Sequence, residues 1–279
     1  MSTIASTIIS TATAHSVTRT SDFVRACSAI AQPHSVRARL HYLAAQGVIA
    51  RVAKGMYVAK SGETMQVGFQ ADSRVACAEL AAAGCKVDAI FLDVPYGAGE
   101  EGQGVKGGNR DLAAFPVIHS TEFAKMAKDM ARMLDADAPA VLIMSNGKSS
   151  TKAKAGYIAA MEAAGFKLSA VGEYTKTYAN GAPVQFMGRT MPNEGIFVFT
   201  KSGRAIAADL SISAVRPSAG CYPTQKPLQL LDRIVSELST VGATWLDPFA
   251  GSGSLYKSCS SLGRNGLYID VLHNPVTYN

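Results

Sequence analysis

The sequence predicts an α/β fold with a mostly parallel sheet, preceded by a small module at the N-terminus. Three observations support this prediction. From residue 65 onward, short apolar segments alternate with amphipathic helical segments, which is typical of parallel sheets covered by helices on both faces. A glycine-rich segment, 247–253, directly follows one of the apolar segments. Residues 1–60 hold seven of the 27 Lys and Arg residues but one of the 21 acidic residues, whereas the remainder of the chain is balanced.

These patterns divide the chain into two expected domains, 1–60 and 61–279, which are joined by a short polar linker. The length is sufficient for one α/β core and a further small domain. A basic module on a neutral body favours binding to a polyanion, with an ordinary solvated surface as the alternative.

The N-terminal module is predicted to contain two helices. Ser21 can cap a helix that runs to about Ile30, and Pro33 ends it. Ser35 can cap a second helix, which Gly47 closes in the conformation that favours glycine.

A β-hairpin is predicted to complete this module. Strands 48–53 and 56–59 flank Lys54-Gly55, a turn signal. Two helices and a hairpin resemble a winged helix-turn-helix, in which the second helix enters the major groove of DNA. A small protein-interaction module is the alternative. The residues that this resemblance implies for DNA binding are Arg37, Arg39, Arg51 and Lys54.

The body is predicted to continue the alternation of strands and helices. A strand before Asp72 leads into a helix that ends near residue 83. The further predicted strands are 87–92, 140–144, 196–200, 244–246 and 266–269, and the further predicted helices are 121–134, 157–164, 227–238 and 254–262.

The segment Asp247-Pro248-Phe249-Ala250-Gly251-Ser252-Gly253 lies directly after a predicted strand. Glycines there let the backbone approach a ligand, and open α/β sheets bind ligands at the carboxyl ends of strands. The string closely resembles the Asp-Pro-Phe-x-Gly-Ser-Gly motif of amino-methylating DNA methyltransferases. The resemblance implies a Rossmann-like fold that uses S-adenosylmethionine as cofactor. The residues that it implies for cofactor binding are Asp247, Phe249, Gly251, Ser252 and Gly253.

Further residues are assigned to the cofactor site by the same resemblance. Asp270 ends the next strand and is expected to bind the ribose hydroxyls, with a strand-end turn as the alternative. The segment 222–227 resembles the family's His-Pro-Thr-Gln-Lys-Pro string, with Tyr in place of His, and implies Thr224 and Lys226 at this site. Asp72 is expected either near the cofactor adenine or as a helix N-cap.

The catalytic candidates are the consecutive residues Asp93, Val94, Pro95 and Tyr96, which resemble the family's Asp-Pro-Pro-Tyr motif. An exocyclic amino nitrogen is a poor nucleophile because its lone pair is delocalised into the ring. Asp93 and a backbone carbonyl can accept its two hydrogens, and Tyr96 can stack on a base swung out of the duplex. Val94 replaces the family's proline, which puts the loop geometry in question.

The choice of base depends on Asp93, because the family uses aspartate here mainly for adenine N6 and serine mainly for cytosine N4. A carbon-5 cytosine methyltransferase would need a nucleophilic cysteine, usually after proline, and no cysteine here follows one. The catalytic string precedes the cofactor string, as in the beta class of the family. The resemblance covers residues 65–279 and implies a DNA adenine-N6 methyltransferase. Cytosine-N4 methylation, a catalytically impaired DNA-binding regulator and an RNA methyltransferase remain alternatives.

Other partners and surroundings follow from composition. The five scattered cysteines predict neither a metal site nor a disulfide framework and favour reduced thiols in a bacterial or phage-infected cytoplasm. No apolar run reaches the length of about 18 residues that a membrane span needs. The expected partner is DNA, and the sequence leaves the oligomeric state open, a homodimer included. The short segment 203–220, where the family reads its target, predicts low or short sequence specificity. Restriction-modification, phage self-protection and regulation remain alternative roles.

Overall fold

The N-terminal module consists of two helices and a three-stranded antiparallel sheet with the order β1-β3-β2. Its elements are β1 (Thr18–Arg19), α1 (Thr20–Ala26), α2 (Pro33–Ala45), β2 (Ile49–Ala53) and β3 (Met56–Ala59). The computed structural model describes residues 18–45, 49–53, 56–59, 64–96, 117–186, 188–217, 225–272 and 275–276. The predicted helices and paired strands are present, while Gly47 and the turn Lys54-Gly55 lie outside the described residues. The assignment as a winged helix stays a prediction.

The two helices of the module begin earlier than their predicted caps. Helix α1 starts at Thr20, because Arg19 adopts the extended N-cap conformation and its N–H donates to Asp22 Oδ2 at 3.2 Å. The helix also ends at Ala26, before the predicted Ile30. Helix α2 starts at Pro33 itself, because proline lacks an N–H and its fixed φ suits the first helical position.

The body is built on an eight-stranded sheet with the order β11-β7-β10-β6-β5-β12-β13-β4. Its strands are β4 (Gln66–Gln70), β5 (Ala89–Leu92), β6 (Ala140–Ser145), β7 (Lys167–Thr177), β10 (Glu194–Thr200), β11 (Ile212–Val215), β12 (Thr244–Asp247) and β13 (Asn265–Asp270), and β8 (Gln185–Phe186) and β9 (Arg189–Thr190) form a separate hairpin. Strand β10 runs antiparallel to its neighbours β6 and β7, and the other strand pairs of the sheet are parallel. The predicted α/β class with a mostly parallel sheet is confirmed.

Helices cover both faces of this sheet. They are α3 (Ser73–Ala82), α4 (Ser120–Met133), α5 (Thr151–Ala163), α6 (Leu228–Leu238) and α7 (Ser254–Ser261). Helices α3, α4 and α5 bury apolar residues such as Phe123 against one face, and α6 and α7 bury residues such as Ile234 against the other. Trp245 of β12 is fully buried in the second layer, where its Nε1–H donates to Ser239 Oγ at 3.0 Å. In the described ranges, no helix is long and apolar enough to cross a membrane.

The strand order reverses between the neighbouring parallel strands β12 and β5. From β12 the chain continues through α7 to β13 on one side, whereas from β5 it continues through α4 to β6 on the other. In open α/β sheets, ligands bind outside the carboxyl ends of strands at such a reversal. Asp93 follows β5 and Asp247 ends β12, so both lie at this position.

The N-terminal module packs against the body at α3 and the core beneath it. Val52 of β2 belongs to the apolar cluster that α3 also enters, and Met56 of β3 packs against the same cluster. Arg19 forms an ion pair with Glu79 of α3 at 2.6 Å. The module therefore contacts the helix whose first turn lies beside the predicted cofactor site.

Candidate active site

The glycine-rich turn after β12 is held by backbone hydrogen bonds. The Phe249 N–H donates to Asp247 Oδ1 at 3.0 Å, and the Ala250 N–H donates to the carbonyl of Ile269 in β13 at 2.9 Å. Gly251 and Gly253 have φ values of +47° and +72°, in the left-handed region that favours glycine. A Cβ at Gly253 would lie 2.5 Å from the Pro275 carbonyl oxygen, so a side chain has no room there.

Asp270, at the end of β13, is fixed by the same turn. Its Oδ2 accepts the Gly251 N–H at 3.1 Å, and its Oδ1 accepts the Leu272 N–H at 2.8 Å. A carboxylate has about four lone-pair positions, so each oxygen can accept more than one donor. The strand-end turn that was the alternative role for Asp270 is thus present, and a contact of Asp270 with a cofactor ribose stays a prediction.

Asp247 is almost fully buried, with 2% of its surface exposed. Burial raises the pKa of this carboxyl well above its ordinary value, while the Phe249 N–H opposes the shift. The nearby carboxylates of Asp93 and Asp270 raise it further. This side of the site therefore disfavours a further negative charge and suits hydrogen-bond donors.

Four charged side chains meet beside the end of β5. Lys226 Nζ lies 2.9 Å from Asp93 Oδ1 and 3.2 Å from Glu194 Oε2, and Lys176 Nζ lies 2.8 Å from Glu194 Oε1. We call these residues the charge cluster. Its side chains are between 11% and 23% exposed, so they are mostly removed from water. With two carboxylates and two ammonium groups, the charge cluster carries no net charge when all four are ionised.

The pKa values in the charge cluster follow from burial and from these pairings. Burial raises the pKa of Asp93, Lys226 opposes that rise, and the negative charge of Glu194 adds to it. For Glu194, burial also raises the pKa, but Lys226 and Lys176 together outweigh it and bring the value to about 2. For Lys226, burial is outweighed by the two carboxylates, so its pKa is raised and it stays protonated.

The loop after Asp93 is fixed by packing and by hydrogen bonds. The Val94 side chain is 2% exposed and lies in the main core cluster, and its carbonyl accepts the Tyr96 N–H at 2.8 Å. The Pro95 carbonyl accepts the Ile118 N–H at 3.1 Å. Tyr96 Oη accepts the Ser145 N–H at 2.8 Å, which anchors the ring near the end of β6. Burial of Val94 thus restrains the loop where the family uses a proline ring.

Asp72 is the N-cap of α3, one of its two predicted roles. Its side chain accepts the Arg74 N–H at 2.9 Å and pairs with the Arg74 guanidinium at 2.6 Å. The Arg74 hydrogen bonds lower the pKa of Asp72, although burial opposes them. The next residue, Ser73, donates its hydroxyl to the Pro248 carbonyl. The start of α3 is therefore tied to the glycine-rich turn, while contact of Asp72 with a cofactor stays a prediction.

The remaining predicted site residues fall into two groups. Thr224 and Lys54 lie outside the described residues. Arg37 and Arg39 lie exposed on α2, where the Arg39 guanidinium is 5.1 Å from the centre of the Tyr42 ring, and Arg51 lies exposed on β2. These exposed positions agree with a DNA-binding role, which remains a prediction.

No role was predicted from the sequence for Glu194 or Lys176. Both reach the site because β10 and β7 pair there: Glu194 lies opposite Ser145 of β6 and Tyr174 of β7. Lys226, predicted at the cofactor site, has its ammonium group on Asp93 and Glu194. The sequence does show an acid, Glu194, at the start of β10 and a lysine, Lys176, near the end of β7. These two residues indicate an ion pair only when the register of the two strands is known.

Comparison with known proteins finds sequence similarity in part of the chain. Residues 204–277 match the N6_N4_Mtase family, described as DNA methylase. The chain is similar to the Type II methyltransferase M.HpaI of Haemophilus parainfluenzae, with 46% identity over 50 residues that make up 18% of this chain and 16% of that protein. It is also similar to the Type II methyltransferase M2.DpnII of Streptococcus pneumoniae, with 45% identity over 53 residues, 19% of this chain and 20% of that one. The matched segments therefore span about a fifth or less of these two relatives.

The fold has a wider match than the sequence. The crystal structure of the M1.HpyAVI–SAM complex superposes with a TM-score of 0.53 and 20% identity, covering 74% of this chain and 93% of that chain. A second structure of M1.HpyAVI gives a TM-score of 0.51 at 18% identity, covering 74% and 91%. The predicted resemblance to amino-methylating DNA methyltransferases is confirmed by sequence over residues 204–277. The M1.HpyAVI structures show in addition that the fold is shared over most of the chain.

Proposed function

We propose that this protein transfers a methyl group from S-adenosylmethionine to the exocyclic N6 of adenine in DNA, with short or low sequence specificity. The observation that carries the proposal is the position of Asp93 beside the glycine-rich turn. They follow the neighbouring parallel strands β5 and β12, whose register pairs Ala89 with Trp245. A reacting group and a cofactor bound at these two strand ends would meet at the reversal of strand order.

The residues of the glycine-rich turn fit the proposed cofactor. Asp270 offers fixed carboxylate oxygens for the ribose hydroxyls, and the absence of a side chain at Gly253 keeps the turn close to its neighbours. Bound S-adenosylmethionine would supply an electrophilic methyl group. The turn and Asp270 would hold the cofactor beside Asp93, and positioning would then provide much of the rate.

Asp93 and the following loop supply what the target amino group needs. An ionised Asp93 accepts one N–H, and the Val94 carbonyl, which has a second lone pair beside its bond to the Tyr96 N–H, accepts the other. These two bonds would favour a tetrahedral nitrogen with a localised lone pair, which is the form of the amino group that can accept a methyl group. Tyr96, anchored through its hydroxyl on Ser145, offers a ring on which a flipped base can stack. Ionised Asp93 accepts a stronger, charge-assisted hydrogen bond than the protonated acid, and it can stabilise the positive charge that develops on the amino nitrogen, so protonation of Asp93 should impair transfer.

Adenine is preferred over cytosine because the family's aspartate, rather than its serine, stands at position 93. Cytosine N4 remains the second candidate, because both bases present an amino group next to a ring nitrogen. A DNA-binding regulator without activity is disfavoured by the burial of Val94, which restrains the loop despite the missing proline.

The activity is tested by incubating the protein with unmethylated DNA and tritiated S-adenosylmethionine and identifying the labelled nucleoside after digestion. N6-methyladenine supports the proposal, and N4-methylcytosine would replace it with the second candidate. Asp93→Asn, which keeps the shape but removes the charge, should lower transfer by a factor of about 10³ or more. Asp135→Asn, at a side chain that is 91% exposed, is the matched control and should leave transfer unchanged. Cofactor and DNA binding without any incorporation would support the inactive regulator.

The N-terminal module is proposed as the main source of DNA affinity. Replacing Arg37 and Arg39 together by Ala should reduce the slope of log affinity against log salt by about 2, since each phosphate contact contributes about one unit. The matched control replaces Lys125 and Lys128, exposed on α4. Equal loss of slope in both double variants would show that the module is no special DNA-binding element.

A further inference from the structure

We infer that Lys226 is a positioning residue shared by Asp93 and Glu194: it orients Asp93 in the free protein and moves to Glu194 when the target amino group arrives. This inference rests on the proposed function for the identity of the target, but its structural basis is independent of it. Lys226 Nζ is the ion-pair partner of Asp93 Oδ1 at 2.9 Å, so it lies at the carboxylate that the target must reach.

Glu194 is placed to receive Lys226. Its Oε2 lies 3.2 Å from Lys226 Nζ, yet it is a buried oxygen that makes no hydrogen bond, and among the described residues no other buried side-chain nitrogen or oxygen shares this condition. The ammonium is thus ion-paired with both carboxylates and lies closer to Asp93, while Glu194 Oε2 meets no hydrogen-bond geometry in this arrangement. A small shift of Nζ from one carboxylate to the other would exchange the two pairings.

The surroundings keep Glu194 fixed while this exchange occurs. Lys176 holds Oε1 at 2.8 Å, and the backbone of Glu194 is paired with Ser145 on one side and Tyr174 on the other. Leaving a buried ammonium without a partner is costly, so Lys226 can release Asp93 only where a second carboxylate is within reach. Glu194 supplies that carboxylate on a rigid strand.

The charges that act on Asp93 give the inference a measurable consequence. Lys226 and Lys176 favour its ionised form, while Glu194 disfavours it. The carboxylate of Asp247 and the hydroxyl of Tyr96 also lie within electrostatic reach. Removing Lys226 should therefore raise the pH at which Asp93 titrates, and removing the charge of Glu194 should lower it.

The first experiment measures this titration without any catalysis. Protein labelled with ¹³C at the aspartate side-chain carboxyl is titrated by NMR, and the Asp93 signal is assigned by its loss in Asp93→Asn. Lys226→Met should move the midpoint up by roughly one to three pH units, and Glu194→Gln should move it down. Lys226→Arg, which keeps the charge, should restore a midpoint near the original one. The matched controls are Lys152→Met and Glu162→Gln, both at exposed positions on α5.

Shifts in the same direction, or shifts no larger than those of the controls, would overturn the inference. If Lys226→Met does not fold, Glu194→Gln decides alone: a downward shift supports the inference and no shift overturns it. Because this titration needs neither cofactor nor DNA, it also decides the matter for a chain that proves unable to methylate.

The second experiment tests the release of Asp93 during turnover. In single-turnover methylation, Glu194→Gln should move the acidic limb of the pH profile to lower pH. The same substitution should reduce the plateau rate roughly tenfold to hundredfold, because Lys226 then stays paired with Asp93. Cofactor affinity should stay unchanged. If Glu194 has only a structural role, the plateau rate would fall while the acidic limb of the pH profile stays in place. An unchanged plateau rate would show that release of Asp93 does not depend on Glu194. Either result contradicts the inference. Absence of methylation by the unaltered protein would instead refute the proposed function.

Discussion

The two halves of the candidate active site are held together by different forces. The glycine-rich turn and Asp270 are fixed by backbone N–H groups and by left-handed glycines. Asp93 is held by the ion pairs of the charge cluster, whose members come from four separate segments. A site held by backbone hydrogen bonds is rigid, whereas a site held by ion pairs between side chains can exchange partners. The glycine-rich turn therefore suits a ligand that must be held in place. The charge cluster suits Asp93, which must be released from its ion pair before it can bind the target.

The strongest test of the rigid half is Gly253→Ala. The added Cβ would lie 2.5 Å from the Pro275 carbonyl oxygen. The alanine would also have to keep a left-handed backbone conformation. We expect cofactor affinity to fall about a hundredfold or more, because even a small displacement of the turn misplaces its donors. Isothermal titration with S-adenosylmethionine measures the change.

Gly84→Ala is the matched control for this substitution. Gly84 has a similar φ of +73°, but a Cβ there would meet nothing within 4 Å. It should cost about 1 kcal/mol of folding stability and leave cofactor affinity intact. If both variants bind cofactor equally well, close packing at Gly253 is not what shapes the turn.

The pH dependence of methyl transfer tests the half of the site that contains Asp93. The pKa of Asp93 is raised by burial above its ordinary value of 3.8, so methyl transfer should disappear as the pH falls through that raised value. Below it, the rate should decrease about tenfold per pH unit, since the ionised fraction does. The check is a single-turnover pH profile at saturating cofactor; a limb that persists unchanged in Lys226→Met would mean that another group controls it.

Asp270→Asn probes the rigid half more gently. The amide can still accept from one backbone N–H, but it loses the charge and places an NH₂ group opposite the other. We expect cofactor affinity to fall roughly tenfold and stability by about 1–2 kcal/mol, in line with the loss of a charge-assisted hydrogen bond. Titration calorimetry and urea unfolding report the two effects. Full affinity in this variant would show that Asp270 serves only the turn.

The smallest expected effect concerns the loop between the two halves. Val94→Ala removes a fully packed side chain and should reduce stability by about 1–2 kcal/mol and turnover severalfold, because the carbonyl that follows Asp93 becomes less restrained. Val75→Ala on α3, where the side chain is 57% exposed, should change stability by less than about 0.5 kcal/mol. Unchanged turnover in Val94→Ala would indicate that burial of this side chain is not needed to shape the loop.

The difference between the halves also explains what the sequence could reveal. The glycine-rich turn and the segment from Asp93 to Tyr96 are contiguous in sequence, so their chemistry can be predicted without knowledge of the fold. The charge cluster depends on the register of β10 against β6 and β7, which brings Glu194 opposite Ser145. No local pattern encodes that register, and Lys226 was accordingly predicted at the site but not with its partners.

The helices and strands show the same limit. Parallel strands such as β12 and β13 were predicted because they are short, apolar and bounded by turn residues. Strand β7 was missed as an eleven-residue element, since it mixes exposed apolar residues such as Leu168 and Val171 with polar ones near the edge of the sheet. Helix α5 begins at Thr151, before its predicted start at residue 157, because the 3-10 turn Lys148–Ser150 leads directly into it.

Trp245 gives the protein its own optical reporter. It is the only tryptophan in the sequence, it is fully buried on β12 two residues before Asp247, and its indole N–H is engaged by Ser239. Selective excitation of tryptophan fluorescence therefore reports on one apolar environment, in the strand that leads into the glycine-rich turn. Its emission should shift to longer wavelength when the sheet opens, so the stability of every variant above can be followed on an unlabelled chain.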